Sequence, residues 1–299
     1  MENLKKYTAA VLFLGMITFW NSCTLFDEPE PQAAFLHLSG IDLSTTSNEG
    51  SASSKINIAW VYVNDKFLGG FQMPVTIPVL EDGAATVLID PGINANGVSF
   101  TPDLYPFYKR IEFNHNFTPG KVDTFSFTTQ YSDLTEFAFI EDFSSSTHLF
   151  SDDRDDDTET FIAITSEDAF EGNSGLIRLT KTHPVAIVAT NYDRIKLDNL
   201  PRNGLPAWLE VNYKTDVPVV IGVIAYDAIG SASNFPEFGI NPRNDWNKIY
   251  FNMSDLLLQQ NLRSFQIYVS AAIPRENGEF KQDEGSVYLD NIKLVYRAQ

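Results

Sequence analysis

The chain has 299 residues, of which 43% are hydrophobic and 20% charged, so it can bury cores of domain size and is not an intrinsically disordered chain. A formal net charge of −18 excludes a nucleic-acid-binding role, because contacts to phosphates need clustered Lys and Arg and the sequence has no such cluster. Its 23 Phe and 12 Tyr favour β-sheets over helix bundles.

The N-terminus carries a targeting signal. Two lysines precede an apolar run at residues 7–20, which is shorter than the ~20 residues of a membrane span, so the pattern predicts a signal peptide over residues 1–22. Ser22 directly before Cys23 resembles the lipobox of bacterial lipoproteins, although Trp20 stands where that family usually has Leu. The resemblance implies cleavage before Cys23 and a lipid anchor, such as palmitate, on its thiol. An ordinary signal peptide with an incidental cysteine is the alternative.

The residues after this signal form a predicted tether. Cys23 is the only cysteine, so an intramolecular disulfide is excluded. Residues 23–32, "CTLFDEPEPQ", are acidic and contain proline, which is typical of a linker. They resemble the acidic segments that follow the cysteine in surface-exported lipoproteins, although a plain solvated linker would have the same composition. The resemblance implies attachment to the outer membrane with exposure at the cell surface.

Residues 33–131 have the pattern of a small all-β domain. The segment "INIAWVYVND" is strand-like on both faces and ends at a turn signal, and Pro and Gly interrupt the following residues at short, regular intervals. This spacing predicts a β-sandwich. The order of "VYVN", "LGG", "EDG" and "LIDPG" resembles the PEGA-type and related immunoglobulin-like modules of envelope proteins. That resemblance implies an Ig-like sandwich that acts as a spacer.

Residues 132–299 are predicted to form a second, larger antiparallel β-domain. Apolar strands separated by turns fill this half, and only "SDLLLQQ" (254–260) favours a short helix. Residues 205–227 predict a hairpin, and residues 228–245, rich in Gly, Ser and Pro, predict the longest irregular loop. About 165 residues of antiparallel β-structure are typical of a jelly roll.

Enzyme signatures are absent from the sequence. It contains no G-x-S-x-G, H-E-x-x-H, P-loop or C-x-x-C motif, and its 4 His are not spaced as metal ligands. A glycosidase needs only two carboxylates, and 39 acidic residues leave that possibility open, but nothing marks a pair. We therefore predict a non-catalytic protein.

The second domain resembles carbohydrate-binding modules with a jelly-roll, galactose-binding-like fold. The resemblance rests on the order of "FIEDF", "GNSGLIRLT", "AWLEVNYK", "WNKIYFNMSD" and "VYLDNIKLV". It implies glycan binding and a structural Ca²⁺ that joins Asp290 in the last strand to Glu141 or Asp142 in the first. A β-bulge at Asp290 whose side chains are bonded by backbone groups is the alternative. The acidic loop "DDRDDD" (152–157) lacks the Gly and the terminal Glu of an EF-hand loop and is predicted to be solvated.

Candidate ligand-binding residues come from strand alternation. In "AWLEVNYK" the apolar residues at 209, 211 and 213 share one face, so Trp208, Glu210 and Asn212 share the other, where an aromatic ring and polar groups could hold a sugar. Packing of Trp208 under other parts of the protein is the alternative. Tyr226 and Trp246, at the two ends of the predicted long loop, are further candidates. The leading hypothesis is a glycan-binding envelope lipoprotein; an adhesion or assembly lipoprotein that contacts proteins is the second, and a glycoside-active enzyme the third.

Overall fold

The computed structural model describes residues 31–98, 101–198, 200–201, 203–258 and 262–297. The predicted signal peptide, Cys23 and most of the predicted tether lie outside this range. The chain is almost entirely β-structure, which confirms the predicted class, and the predicted short helix forms as α1 (Ser254–Leu257). Within the described residues, no helix is long and apolar enough to cross a membrane.

The first half forms an Ig-like β-sandwich of eight strands. These are β1 (Ala34–Leu43), β2 (Ile58–Val63), β3 (Lys66–Gln72), β4 (Val75–Val79), β5 (Gly83–Asn94), β6 (Pro102–Leu104), β7 (Ile111–Phe117) and β8 (Val122–Thr129). One sheet has the order β4-β1-β8, with β1 and β8 parallel, and the other has the order β3-β2-β5, with β6 and β7 both paired to β5. Alternation in β2 buries Ala59, Val61 and Val63 between the sheets.

The second half forms the larger jelly-roll sandwich. Its strands are β9 (Thr135–Glu141), β10 (Asp152–Asp153), β11 (Ile162–Thr165), β12 (Ser174–Thr180), β13 (Val185–Ala189), β14 (Ala207–Thr215), β15 (Val219–Asp227), β16 (Ala232–Ile240), β17 (Arg243–Asn252), β18 (Leu262–Ala272), β19 (Arg275–Glu276), β20 (Glu279–Phe280) and β21 (Glu284–Arg297). A five-stranded sheet, β10-β13-β18-β15-β16, packs on a second sheet, β11-β12-β21-β14-β17, in which β9 also pairs with β21. Side chains such as Ile221 and Leu209 meet in the fully buried core between the two sheets.

The last strand, β21, changes its partner at an acidic residue and an amide. Residues 284–289 pair with β12, residues 292–297 pair with β9, and β14 lies along the other side. Asp290 is paired with Asn212 of β14, and the register shifts between this pair and the pair of Lys293 with Glu210. Asn291, which has a φ of +45°, and the residue after it therefore form a bulge directly after Asp290. The predicted approach of the first and last strands of this domain is also present, with Glu141 opposite Ile292.

Two predictions about connections were wrong. β14 and β15 do not form a hairpin, because the chain turns at residues 216–218 from one sheet to the other. The predicted long loop contains β16, which pairs with β15 at the edge of the five-stranded sheet. Pro236 is compatible with this edge strand because it lies where the register against β15 shifts, next to Gly222.

Candidate functional site

The predicted ligand face on β14 is covered by the first sandwich. Alternation directs Trp208, Glu210 and Asn212 away from the jelly-roll core, as predicted, but their exposed fractions are only 2%, 0% and 1%. Trp208 belongs to the same apolar cluster as the core of the Ig-like sandwich and meets the ring of Tyr105 edge-on, with ring centroids 5.5 Å apart. In this structure a ligand cannot reach these three side chains, which connect the two sandwiches.

A buried ionic cluster lies at the centre of this interface. The hydroxyl groups of Tyr105 and Tyr131 donate hydrogen bonds to Oε1 of Glu210, at 2.6 and 2.8 Å. The Nζ of Lys248 is 2.9 Å from Oε2 of Glu210. The two groups form an ion pair, but the angles between them are not those of a hydrogen bond. Burial raises the pKa of Glu210, but the charges of Lys248 and Lys293 together with the hydrogen bond from Tyr105 outweigh burial, so the net pKa is lowered. Glu210 is therefore an anion shared by two lysines.

Further polar contacts connect the sandwiches around this cluster. The Nζ of Lys293 donates to the backbone carbonyl of Ser51 at 2.6 Å. The side chains of Asn212 and Ser53 are hydrogen-bonded at 2.8 Å. Each contact joins the jelly roll to the segment between β1 and β2. The Ig-like sandwich is thus more than a spacer, because its side chains form hydrogen bonds with charged groups of the jelly roll.

The structure gives one predicted calcium ligand a different partner. The two carboxylate oxygens of Glu141 accept the backbone N–H groups of Phe143 and Leu149, at 2.8 and 2.6 Å. Asp142 accepts the backbone N–H of Ser144 at 3.0 Å. Both oxygens of Glu141 thus fix the loop after β9.

Asp290 is likewise bonded to the protein. It accepts the Ser174 hydroxyl at 2.7 Å and the backbone N–H groups of Glu171 and Asn291. Burial raises the pKa of Asp290 to about 6, although these hydrogen bonds oppose the rise. The described residues contain no group of three or more His, Cys, Asp or Glu that could hold a metal ion. Asp142 and Asp290 do line the same hollow of about 400 Å³, so calcium binding stays a prediction.

An open cleft lies on the other sheet of the jelly roll. The face of the five-stranded sheet that points away from the core has two adjoining hollows, of about 850 and 420 Å³, and Arg154 borders both. The larger is lined mainly by Arg154, Tyr192, Asp193, Asp198, Tyr226, Asp227, Arg263 and Ser264, and the smaller by Ile187, Val220, Ile224, Asn234, Pro236, Tyr268 and Ser270. We call these two hollows the sheet cleft.

Three tyrosines give the sheet cleft its aromatic surface. The rings of Tyr192 and Tyr226 lie 5.4 Å apart at the larger hollow, with their planes 52° apart. Tyr268 lies in the smaller hollow, against Gly222 on the neighbouring strand. A Cβ atom on Gly222 would be 2.6 Å from the ring of Tyr268 and 2.4 Å from the carbonyl oxygen of Phe235. Glycine at this position lets the phenol ring lie close to the sheet.

Gln266 fixes the polar groups of the sheet cleft. This side chain is fully buried, and its oxygen accepts hydrogen bonds from the Tyr226 hydroxyl and the Arg154 guanidinium. Its amide group donates to Asp152 at 2.7 Å and to the carbonyl of Thr190. All four hydrogen-bonding positions of the amide are used. Tyr226 and Arg154 are consequently held in one orientation before any ligand arrives.

The structure separates the remaining sequence candidates. Tyr226 lies in the sheet cleft, as just described. Trp246 lies on the other sheet, where it packs against Phe170 and Tyr288, and its indole N–H donates to the carbonyl of Asp168 at 3.1 Å. The two residues are therefore on different sheets of the jelly roll and do not belong to one site.

The sequence candidates omit most residues of the sheet cleft, although one signal for them was present. In "LRSFQIYVS" alternation places Ser264, Gln266 and Tyr268 on one face, while the apolar residues between them face the core. Arg154 gave a weaker signal, because it lies inside the acidic loop that the sequence predicts to be solvated. Its guanidinium instead points to Tyr226, with an N–O distance of 2.8 Å.

No family model matches the sequence, and no curated protein matches it. Among solved structures, the CBM22-1 xylan-binding domain of Paenibacillus barcinonensis Xyn10C has a TM-score of 0.40 and 11% identity, over 56% of this chain and 99% of that one. The C-terminal family 22 module of Clostridium thermocellum Xyn10B has a TM-score of 0.37 and 14% identity, over 54% and 93%. A CBM29-2 variant in complex with cellohexaose has a TM-score of 0.34 and 11% identity, over 55% and 93%. Nothing about the ligand of this chain follows from similarities of this size.

Proposed function

We propose that this protein is a non-catalytic glycan-binding protein of the cell envelope and that the sheet cleft is its binding site. The observation that carries the proposal is the pair of tyrosine rings, Tyr192 and Tyr226, beside a guanidinium that the buried amide of Gln266 holds in place. Aromatic faces stack on the C–H faces of sugars, and fixed donors and acceptors bind their hydroxyl groups. The cleft has aspartates as well as arginines along its walls, which suits an uncharged ligand.

Replacement of Tyr226 by alanine tests this proposal. The change removes one stacking ring and one hydroxyl that donates to Gln266, so we expect binding to weaken at least tenfold, or about 1.4 kcal/mol. Glycan-array screening identifies the ligand, and calorimetry with the best oligosaccharide measures the affinity. Trp246→Ala is the matched control, because this aromatic residue lies on the other sheet and its loss should leave the affinity unchanged.

Other outcomes would favour the two alternatives. The specific observation in favour of a protein partner is Ile229, which is 88% exposed between two residues that border the sheet cleft. The protein-partner alternative would be favoured if no glycan on the array bound and the protein captured one envelope protein instead. Ile229→Ser should then abolish this capture. Release of reducing sugar that a single Asp or Glu substitution abolishes would indicate an enzyme.

The envelope location is the second part of the proposal and depends on Cys23. We expect the mature protein to fractionate with the outer membrane and to carry a diacylglyceryl group on this cysteine, because the N-terminus resembles a lipoprotein signal. Cys23→Ser should release the protein from the membrane fraction and remove the lipid mass. Intact-mass measurement of both forms checks this. A Cys23→Ser protein that stays membrane-bound with unchanged mass would contradict it.

A further inference from the structure

A second aromatic surface lies on the Ig-like sandwich, outside the sheet cleft. Because Ala59, Val61 and Val63 face the core, Trp60 and Tyr62 of β2 point to the opposite face of their sheet. Trp60 is paired with Gly70 of β3 on one side and with Asp90 of β5 on the other. This face of the sheet is on the surface of the Ig-like sandwich, and both aromatic residues are partly exposed there.

Two glycines allow the indole ring of Trp60 to lie flat on the sheet. A Cβ atom on Gly70 would be 3.1–3.2 Å from three carbons of the indole, and a Cβ on Gly92 would be 2.8 Å from its Nε1. The ring therefore spans from β3 to β5, with one face against the backbone. Neither glycine has a positive φ, so the backbone conformation does not require glycine at either position. At Gly70 the indole is what a side chain would displace.

The indole is held there by packing. Its Nε1 is buried and has no hydrogen-bond partner among the described residues. Gly92 also lies close to the carbonyl oxygen of Asp103, at 2.7 Å from the Cβ position, so this glycine serves the backbone as well as the ring. The three atoms nearest to a Cβ on Gly70 all belong to the indole, which makes Gly70 the better position for a test.

Phe67 and Tyr62 extend the aromatic surface. Phe67 is 50% exposed, and its ring is nearly parallel to that of Trp60, with planes 16° apart and centroids 5.9 Å apart. Tyr62 is 5.0 Å from Phe67. We call Trp60, Tyr62 and Phe67 the Trp60 platform. The three rings share one sheet face, on which Phe67 is exposed and Trp60 and Tyr62 are partly exposed, and clustered apolar side chains at a surface are a feature of binding sites.

The polar border of the Trp60 platform contains an ion pair, in which the charges of a guanidinium and a carboxylate cancel. Arg110 lies over the ring of Tyr62 at 5.5 Å and forms two hydrogen bonds, both 2.6 Å, with Asp90. The guanidinium and the carboxylate neutralise each other, and both sit within reach of a ligand on the rings. Because this ion pair has no net charge, it suits a neutral ligand. A chain with a net charge of −18 would repel an anionic lipid surface.

We propose that the Trp60 platform binds a neutral polysaccharide by stacking of sugar rings on Trp60 and Phe67, with Arg110 and Asp90 bonding the hydroxyl groups. A flat ring surface has no walls to enclose a short ligand, so it suits an extended chain or a polysaccharide surface. The sheet cleft, in contrast, suits a short stretch of sugar. The inference extends the proposed function but depends on different residues in the other sandwich. Two sites on one protein would raise the overall affinity for a long chain without a new contact.

Affinity electrophoresis on soluble polysaccharides and pull-down on insoluble ones test the platform. We expect Trp60→Ala to weaken polysaccharide retention about tenfold, the value of one lost stacking contact, while the affinity for a short oligosaccharide stays that of the wild type. Gly70→Leu keeps the tryptophan but displaces its ring, and should have the same effect. Trp60→Phe should restore most of the retention. Phe161→Ala, which removes a ring of 57% exposure elsewhere, is the control.

The outcomes separate this inference from the proposed function. If Tyr226→Ala abolishes retention of the protein by polysaccharide and Trp60→Ala leaves that retention unchanged, the platform inference fails and the cleft proposal stands. If only Trp60→Ala abolishes retention by polysaccharide, and oligosaccharides do not bind the cleft, the platform inference stands and the cleft proposal fails. A platform that is needed only for capture of a purified protein or of neutral lipid vesicles would overturn the inference. Circular dichroism and melting of each variant ensure that lost retention reflects a lost contact in a folded protein.

Discussion

Replacement of Glu210 by alanine is expected to lower the free energy of unfolding by about 3–5 kcal/mol, the usual cost of removing one partner from a buried ion pair. Glu210 is fully buried and is the counterion that the structure provides to two lysines, Lys248 and Lys293, which are themselves 5% and 0% exposed. Without the carboxylate, both ammonium groups would remain in the interface uncompensated. The hydroxyl groups of Tyr105 and Tyr131 would also lose their acceptor.

Urea unfolding at 25 °C measures the loss, and Glu210→Gln separates its two parts. The amide keeps an oxygen for the tyrosine hydroxyls but removes the negative charge. A loss in Glu210→Gln close to that in Glu210→Ala would assign the effect to charge. A loss confined to Glu210→Ala would assign it to hydrogen bonding and packing. A change below about 1 kcal/mol in both would contradict the role of Glu210 as a buried counterion, since surface ion pairs have that magnitude.

The pH dependence of this loss has a definite sign. Burial lowers the pKa of Lys293 to about 8, and Glu210 opposes the shift. A lysine whose pKa is lower in the folded state than in the unfolded state binds fewer protons when folded, so stability rises with pH between the two values. Removal of the Glu210 charge lowers the folded-state pKa of Lys293 further. The pH range in which stability rises with pH therefore begins at a lower pH. The deficit of Glu210→Gln should therefore be larger at pH 7 than at pH 9.5.

Much of the fold could be predicted because each strand carries its own pattern. Alternation in β14 gives its core face correctly, and the interruption at Asp290 and Asn291 marks the position where β21 changes partner. The connections were less accessible. A turn between two strands has the same local sequence whether the strands pair or lie in opposite sheets, so the residues between β14 and β15 could not reveal a change of sheet.

The functional site was harder to predict, for a physical reason. Alternation tells which side chains of a strand leave the core, but it does not tell whether solvent or another domain meets them. Trp208, Glu210 and Asn212 have the composition of a sugar-binding face, yet their partners are Tyr105 and Ser53, more than a hundred residues away in the sequence. Gln266, in contrast, lies in an ordinary strand, and its importance comes from four partners that only the tertiary fold brings together.

Replacement of Trp208 by alanine distinguishes the interface role of this residue from a role in ligand binding. Trp208 is 2% exposed, shares a cluster with the core of the Ig-like sandwich and contacts the ring of Tyr105. Its truncation leaves a cavity between the sandwiches, so we expect the free energy of unfolding to fall by about 3–5 kcal/mol, as for other buried Trp residues. Because Trp208 is on the six-stranded sheet, away from the sheet cleft, the folded variant should bind oligosaccharide as the wild type does.

Trp246→Ala provides the matched comparison, since it removes the same side chain from the neighbouring strand at a partly exposed position. Its cost should be clearly smaller than that of Trp208→Ala, because less of its surface is buried and the cavity it leaves opens to solvent. Denaturant unfolding gives both values, and calorimetry at a temperature where each variant is folded gives the affinities. If Trp208→Ala instead kept its stability within about 1 kcal/mol and lost the ligand, the indole would be a binding platform, and the sandwiches would have to separate in solution to expose it.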